Sequence, residues 1–335
     1  MSAKLKAICI LLFCFFQFPL LVSGQGDSTY YEDYTSQITG RFYFSQKYTS
    51  LIIDNKDDKL DLTYRPNTTF NMGIGASYDW FTLNLAYGFG FLNQDEERGE
   101  TEYLDLQAHF YGQKLNLDLF GEFYNGFYLH PKGKASTDDS FYLRPDLKIS
   151  ELGASVQYVF NDTRYSLRAA SIQTQRQRKS AGSILAGVEF YFGVIRADSS
   201  IYPSMVKVDT LNNNQADFLE IGPNIGYGYT LVFLKNFYLS ASLSANLDYG
   251  ITNYYNDAGS DHSTGISPNA MVRIYAGYNT PKNAFSITYI NNKVSLSPAE
   301  HNRVAINTGN YRINYVRRFV PGPKTVRFLK SLPIF

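Results

Sequence analysis

The sequence has only two cysteines among its 335 residues, and both lie close to the amino terminus. Cys9 and Cys14 fall inside an apolar stretch that we interpret as an export signal. The mature chain would then contain no thiol, no disulfide and no cysteine-based metal site. An excess of one charge is also missing, because 31 basic and 30 acidic residues give a net charge of +1. Electrostatics therefore do not support a nucleic-acid partner.

Long hydrophobic runs are also missing beyond Gly24. No apolar run there approaches the length of about twenty residues that a transmembrane helix needs. The first residues differ: Lys4 and Lys6 precede an apolar region, and small residues follow it up to Gly24. This order is typical of a cleavable secretory signal. We predict a signal peptide over residues 1–24, a periplasmic segment over 25–37 and a basic tail over 320–335.

Aromatic residues are abundant: 28 Tyr and 25 Phe accompany a single Trp and only four Met. Membrane barrels need Tyr and Phe for girdles at both interfaces. The chain also alternates with period two, for example with Leu83 and Leu85 against Asn84 and Ala86. Many alternating segments reach about ten residues, enough for a tilted strand to cross a bilayer. A soluble barrel would alternate as well, because alternation alone does not say which face is inside.

We predict an all-β fold, a single antiparallel up-and-down transmembrane β-barrel over residues 38–319. Short turns alternate with longer polar loops, as in barrels with periplasmic turns and external loops. Both ends of such a barrel lie in the periplasm, so the number of strands is even. The strands near 183–194 and 218–232 would both descend, which leaves one strand missing between them. We predict fourteen strands, with Ser204–Asp209 as the missing one, and keep twelve as the alternative.

Four Pro-Asn or Pro-Asp pairs are predicted to open strands that descend from the outside. Proline lacks an N–H group, so a sheet tolerates it at the start of a strand. The neighbouring Asn or Asp can close a local turn. We interpret these strand-start turns as structural; they are Pro66-Asn67, Pro145-Asp146, Pro223-Asn224 and Pro268-Asn269.

Charged side chains of both signs occupy the face that we assign to the lumen. They would line a polar pore, or pair with each other and plug the barrel. The set is Asp105, His109, Asp118, Glu122, Glu151, Arg164, Arg168, Glu189, Asp248, Arg273, Arg312 and Arg318. A separate basic patch is predicted in an external loop, where it would meet lipopolysaccharide phosphates or simply be solvated. The patch comprises Arg176, Arg178 and Lys179.

His109 is the one histidine on a predicted lumen face, with Asp105, Asp118 and Glu122 close to it. Such a group could hydrolyse a lipid if a serine lay beside it. No serine is marked by local sequence, so a hydrogen-bonded lumen histidine is the simpler interpretation. The remaining histidines lie in predicted external loops without ligand spacing, so we predict no metal site. Gly-x-Gly pieces sit inside strands and do not form phosphate loops, so we predict no cofactor.

Several short motifs stand out along the chain: Arg41–Tyr48, Tyr64–Thr69, Tyr142–Asp146, Lys179–Ser183, Gly222–Asn224, Asn307–Asn310 and Pro321–Lys324. Together they resemble a Bacteroidetes family catalogued only as domain of unknown function 4421. The resemblance covers nearly all of the chain after the signal. It implies an outer-membrane protein of a Bacteroidetes bacterium, which is Gram-negative. It implies no activity, because the family has no assigned activity and no catalytic residues to carry over.

We expect a channel or uptake barrel for a small solute or a lipophilic molecule, and not an enzyme. The alternative is a structural or assembly barrel with a plugged lumen, and a third possibility is a lipid-modifying enzyme that uses His109. The expected partners are outer-membrane lipid, lipopolysaccharide and the machinery that inserts barrels. The oligomeric state stays open.

Overall fold

A computed structural model describes residues 27–55, 60–79, 81–88, 95–136, 138–203, 213–256, 258–297 and 303–331. The predicted signal peptide and the candidate strand Ser204–Asp209 lie outside the described residues. The described strands are β1 (Tyr31–Asp33), β2 (Ile38–Asn55), β3 (Leu60–Arg65), β4 (Asn71–Tyr78), β5 (Phe81–Gly88), β6 (Glu102–Tyr111), β7 (Leu115–His130), β8 (Leu143–Val159), β9 (Gln175–Gln177), β10 (Ala181–Arg196), β11 (Gln215–Phe233), β12 (Phe237–Asn256), β13 (Gly259–Asn279), β14 (Asn283–Ser295) and β15 (Arg303–Phe319). The helices are α1 (Leu167–Ser171), α2 (Pro323–Lys330) and a 3-10 turn (Glu96–Arg98).

Thirteen of these strands form one antiparallel sheet that closes when β15 pairs with β2. The closed circuit contains ten strands, because β3 joins β2 to β7 at one end of the barrel. Strands β4 and β5 extend the wall from β2, and β6 extends it from β7. The wall is therefore narrow at the end that contains β3, and toward the other end β4, β5 and β6 take the place of β3.

The predicted number of fourteen strands is not seen among the described residues. The sheet has thirteen described strands, ten of which form the closed circuit. The alternation of Tyr165, Leu167 and Ala169 in the sequence predicts a strand, and this prediction is wrong, because Leu167–Ser171 forms helix α1. The Ser166 hydroxyl accepts a hydrogen bond from the Ala169 amide at 3.1 Å and caps that helix. Without this strand β10 ascends, and no partner for it is missing.

Both ends of the sheet lie together, because Ile38 pairs with Phe319. Short connections at 112–114, 234–236 and 280–282 share this end. Membrane barrels have short turns on the periplasmic side, so we name this the periplasmic end. The opposite, external end carries several longer connections, such as 131–142, although only residues 257 and 258 separate β12 from β13 there, and the long connection at 160–180 lies at the periplasmic end.

The wall is apolar outside and polar inside over its periplasmic and central parts. On β12, the outward Leu243 is 58% exposed, whereas the inward Ser242 is 4% exposed. This pattern reverses toward the external end: on β2, Phe42 and Phe44 point outward, but Leu51 and Ile53 point inward and are buried. An apolar exterior around a polar interior is the arrangement of an outer-membrane barrel. The described residues contain no helix long and apolar enough to cross a membrane.

Aromatic rings mark the level at which the pattern reverses. The rings of Tyr48 and Tyr311 are 5.8 Å apart, and those of Tyr289 and Tyr311 are 5.0 Å apart. Tyrosine is enriched at membrane interfaces, so this level is the external membrane boundary. Above it the barrel has an ordinary apolar core that includes Tyr64 and Leu147.

Two of the four Pro pairs do not open strands, because β11 and β13 begin well before them. The β13–β14 ladder ends on the external side at Ala270. Pro268 lies just beyond this end, so its lack of an N–H group costs no hydrogen bond to β14. The side chain of Asn269 fills that place by accepting a hydrogen bond from the Ser295 amide at 2.6 Å. The ladder between β11 and β12 is interrupted beside Pro223 in the same way.

The other two pairs lie at or close to strand starts. Pro66 and Asn67 precede β4, while Pro145 and Asp146 are the third and fourth residues of β8. A proline is thus tolerated here wherever one ladder is absent, whether or not the strand begins there.

Candidate functional site: a braced lumen

An ion pair between Arg273 of β13 and Asp118 of β7 spans the centre of the lumen. The Arg273 guanidinium donates to the Asp118 carboxylate at 2.6 Å, and both side chains are almost fully buried. A second nitrogen of Arg273 donates to the Gln157 side chain at 3.2 Å. Alternation along the strands turns all three side chains inward, so this contact links three parts of the wall.

His109 of β6 lies directly opposite Asp118 and shares its carboxylate. Its Nδ1 is 2.6 Å from Asp118 Oδ1, and the Tyr111 hydroxyl donates to the same oxygen at 2.9 Å. Ser155, the nearest serine in this row, faces Asp118 from β8. Asp118 therefore separates His109 from Ser155, whereas a hydrolytic triad needs the histidine between the carboxylate and the nucleophile.

The polar network continues around the wall through Gln157. Its amide nitrogen donates to Asn224 at 3.1 Å and to the Ser244 hydroxyl at 2.9 Å. Asn224 in turn donates to Glu189 at 3.4 Å. Amide side chains can donate and accept at once, so they connect carboxylates that have no cation.

A layer of buried carboxylates lies in the same part of the lumen. Each is at most 3% exposed, and none forms an ion pair within the described part of the chain. They are Glu122, Glu151, Glu189, Glu220 and Asp248. All except Glu122 have an oxygen without a hydrogen-bond partner among the described residues. A buried carboxylate in this state needs a proton or water to compensate it, so the layer is not an ion-pair brace like Arg273 and Asp118.

The remaining predicted lumen charges lie in several different environments. Asp105 accepts from Lys47 at 2.6 Å and from the Tyr124 hydroxyl at 2.8 Å. The guanidinium of Arg312 lies 4.6 Å from the centre of the Tyr43 ring.

Arg164 and Arg168 were predicted to face the lumen from a strand, and that prediction is wrong. Arg164 is exposed at the periplasmic end, where its guanidinium lies over the Tyr30 ring at 5.1 Å. Arg168 lies on α1 and donates to the Asp79 carbonyl at 3.2 Å. Burial lowers the pKa of its guanidinium.

The connection between β8 and β10, residues 160–180, folds back into the periplasmic end of the barrel; we call it the re-entrant segment. Two wall arginines hold its backbone: Arg41 donates to the Ile172 carbonyl at 2.9 Å, and Arg318 donates to the Gln173 carbonyl at 3.0 Å. Asn279 donates to the Gln175 carbonyl at 3.2 Å. These contacts hold the re-entrant segment within the periplasmic mouth of the barrel.

The amino-terminal segment covers the re-entrant segment from below. Strand β1 pairs with β9, and the Tyr31 hydroxyl donates to the Asp162 carbonyl at 3.0 Å. Burial, followed by the nearby Asp162 and Asp33 carboxylates, raises the pKa of Tyr31 to about 12. This hydroxyl therefore stays neutral and able to donate near neutral pH.

The basic patch of Arg176, Arg178 and Lys179 is not external. It lies in the re-entrant segment at the periplasmic end, because β8 descends into that segment and β10 ascends from it. Arg176 donates to Glu32 at 3.2 Å and to Asn236 at 2.7 Å. The patch thus contacts the amino-terminal segment at the periplasmic end and does not form an external surface.

One interruption remains in the wall. Strands β5 and β6 share no paired residues in the described part of the chain, although each is paired on its other side. The inward Asn84 and Ala86 of β5 are exposed, unlike the inward residues of β12. We call this interruption between Phe81–Gly88 and Glu102–Tyr111 the lateral gap.

Sequence comparison supplies the family. The pattern described as Domain of unknown function (DUF4421) matches residues 25–319. The chain belongs to this family. The resemblance found in the sequence is thereby confirmed, while the Bacteroidetes origin stays a prediction. No curated protein matches the DUF4421 chain in sequence.

Three solved structures are similar to this DUF4421 protein at low identity. The outer membrane protease OmpT from Escherichia coli is 9% identical, with 86% of this chain and 98% of that chain covered and a TM-score of 0.41. OmpT of Vibrio cholerae is 11% identical, with 84% and 98% covered and a TM-score of 0.29. The Ralstonia pickettii toluene transporter TbuX is 11% identical, with 89% and 90% covered and a TM-score of 0.28. Similarities at these TM-scores do not bear on function.

Proposed function

We propose that this DUF4421 protein is a non-conducting structural or assembly barrel of the outer membrane. The proposal rests on the re-entrant segment, whose consecutive carbonyls at Ile172 and Gln173 are held by Arg41 and Arg318 from the wall. The two arginines lie on neighbouring, paired strands, so their contacts tie two consecutive residues of the segment to one side of the wall. In this proposal the Arg273–Asp118 ion pair braces a closed interior, and the lumen is not a water-filled pore.

A second barrier supports the same proposal. Above the membrane the lumen contains the apolar core that includes Leu51, Tyr64 and Ile195. Ions do not cross a closely packed apolar layer, because it offers no partner for a charge. The channel that the sequence favoured would need both barriers to move. The enzyme alternative has less support, because Asp118 lies between His109 and Ser155.

Planar-bilayer recording tests the proposal. We expect no current through the wild type. The double variant Arg41→Gln with Arg318→Gln loosens the periplasmic barrier, and it should show irregular leak currents only when the external apolar core opens as well. The matched control is Arg317→Gln, because the Arg317 side chain is exposed and its guanidinium lies 5.7 Å from the centre of the Phe319 ring. Gel mobility with and without heating reports the folded fraction of every sample. Steady single-channel currents from folded wild type would overturn the proposal.

A further inference from the structure

A polar pocket of about 680 Å³ opens on the outer surface of the barrel. Its walls come from β2, the β3–β4 connection, the 3-10 turn and β7. The lining comprises Gln46, Pro66, Asn67, Thr68, Phe70, Asp95, Glu96, Arg98 and Tyr128. Pockets of this size hold small molecules or the headgroup of a larger one.

The pocket lies at the external membrane boundary. Gln46 pairs across the closing strands with Tyr311, which belongs to the aromatic level described above. Phe44, two residues closer to the membrane centre on the same face, is 38% exposed and faces lipid. The pocket therefore opens at the height of the headgroups of the outer leaflet, next to an apolar wall.

Hydrogen bonds fix the walls of the pocket before any ligand binds. The Asn67 amide nitrogen donates to the carbonyl of Asp95 at 2.9 Å and to that of Gly99 at 2.7 Å. Gln46 donates to the Thr68 carbonyl at 3.1 Å. A pre-organised site loses little conformational entropy on binding, so these contacts favour recognition of a ligand.

The lining matches hydroxyl groups better than a phosphate. Arg98 is already paired with Asp95 at 3.0 Å and stacks on Tyr128 at 5.5 Å, and Glu96 adds a second carboxylate. The pocket is thus net negative, which disfavours an anion. Hydroxyls donate to carboxylates and accept from guanidinium or amide groups. The exposed ring of Phe70 supplies an apolar surface beside them.

We propose that this pocket binds the carbohydrate headgroup of an outer-leaflet glycolipid. The sugar hydroxyls meet Asp95, Glu96 and Arg98, while the acyl chains stay in the bilayer against the apolar wall below Gln46. The proposal commits to a lipid because the pocket opens at membrane level and not at the external tip of the barrel. It does not depend on whether the lumen conducts.

Native mass spectrometry of the folded full chain in detergent tests this proposal. The probes are digalactosyl diacylglycerol, phosphatidylglycerol and free lactose. We expect the galactolipid to bind at least about tenfold more tightly than either of the others, which is about 1.4 kcal/mol. Preference for phosphatidylglycerol, or equal binding of free lactose, would overturn the proposal.

Variants locate the binding. Asp95→Asn combined with Glu96→Gln should weaken galactolipid binding about tenfold or more. Glu97→Gln is the matched control, because Glu97 is adjacent, exposed and outside the lining. Phe70→Ala provides a second test if the carboxylate variant folds poorly by gel mobility. Unchanged binding in both folded pocket variants would show that the lipid binds elsewhere.

Discussion

Asp118 and Arg273 are 155 residues apart in the chain, yet their side chains meet at 2.6 Å in the centre of the lumen. Asp118 also forms hydrogen bonds with His109 and Tyr111, and Arg273 also donates a hydrogen bond to Gln157. One ion pair therefore ties together β6, β7, β8 and β13. A barrel wall has its own backbone ladder, so this pair adds contacts through the interior that the ladder does not supply.

Removing one partner of this pair should destabilise the barrel strongly. Asp118→Ala leaves the Arg273 guanidinium buried without its carboxylate, and breaking a buried pair typically costs about 3–5 kcal/mol. Urea titration of the vesicle-embedded protein, read by gel mobility, measures this loss. The double variant Asp118→Ala with Arg273→Met should be more stable than Asp118→Ala alone, because no charge is stranded.

The control for this series is Arg164→Gln, since Arg164 is exposed at the periplasmic end. Exposed substitutions usually change stability by no more than about 0.5 kcal/mol. Suppose that Asp118→Ala unfolded at the same urea concentration as Arg164→Gln. The lumen around the ion pair would then have to be hydrated, which would contradict the proposal that this pair braces a closed interior.

The reversal of polarity along β12 predicts opposite results for two outward positions. Leu243→Arg places a charge in the hydrocarbon region, at a cost of roughly 2–4 kcal/mol near mid-membrane. Asn253→Arg, ten residues further along the same strand face, places it in water and should leave folding intact. The folded fraction after insertion into vesicles compares the two. Equal folding of both variants would mean that the membrane boundary is not where the aromatic rings mark it.

Much of the fold follows from local sequence because period-two alternation is a property of each strand by itself. On β12, Leu243 and Ser242 could be assigned to opposite faces without knowing their neighbours. The helix at Leu167–Ser171 could not be predicted in this way, since Tyr165, Leu167 and Ala169 alternate like a strand for five residues. Tyr165 and Leu167 pack in an apolar cluster inside the barrel. Over so short a stretch, a buried helix and a strand can show the same pattern of apolar residues.

The site was less predictable, because it depends on which strands become neighbours across the lumen. Asp118 and Arg273 were both expected to face inward, but nothing local showed that they meet. Lys47, Arg41 and Gln157 were missed, although their inward positions on β2 and β8 gave a usable signal. The basic patch at Arg176 was placed at the wrong end, because the false strand reverses the direction assigned to the connection at 173–180 and to β10 after it.

Helix α2 should be dispensable for barrel formation. Closure is complete where Phe319 pairs with Ile38, before the helix begins at Pro323. Val320 and Phe328 are 82% and 62% exposed, so neither side chain packs tightly on the wall. Deleting residues 321–335 should leave the heat-modifiable fraction unchanged. Deleting residues 311–335 is the control, because it removes half of β15 and should abolish folding. Loss of folding in the shorter deletion would give the helix or the residues after it a role in insertion.

The lateral gap predicts that inward positions differ in accessibility between β5 and β12. Ala86 points inward but is exposed beside the unpaired edge, whereas Ser242 points inward and is 4% exposed. In protein produced from Gln25 onward, which contains no native cysteine, Ala86→Cys should react readily with a water-soluble maleimide in detergent micelles. Ser242→Cys should react at least about a hundredfold more slowly, because reagent reaches it only when the wall opens by roughly 3 kcal/mol or more. Mass spectrometry of the time course measures both rates. An unpaired edge in hydrocarbon is costly, so equal protection of both cysteines would show that β5 and β6 pair in the folded protein and that the wall has no lateral gap.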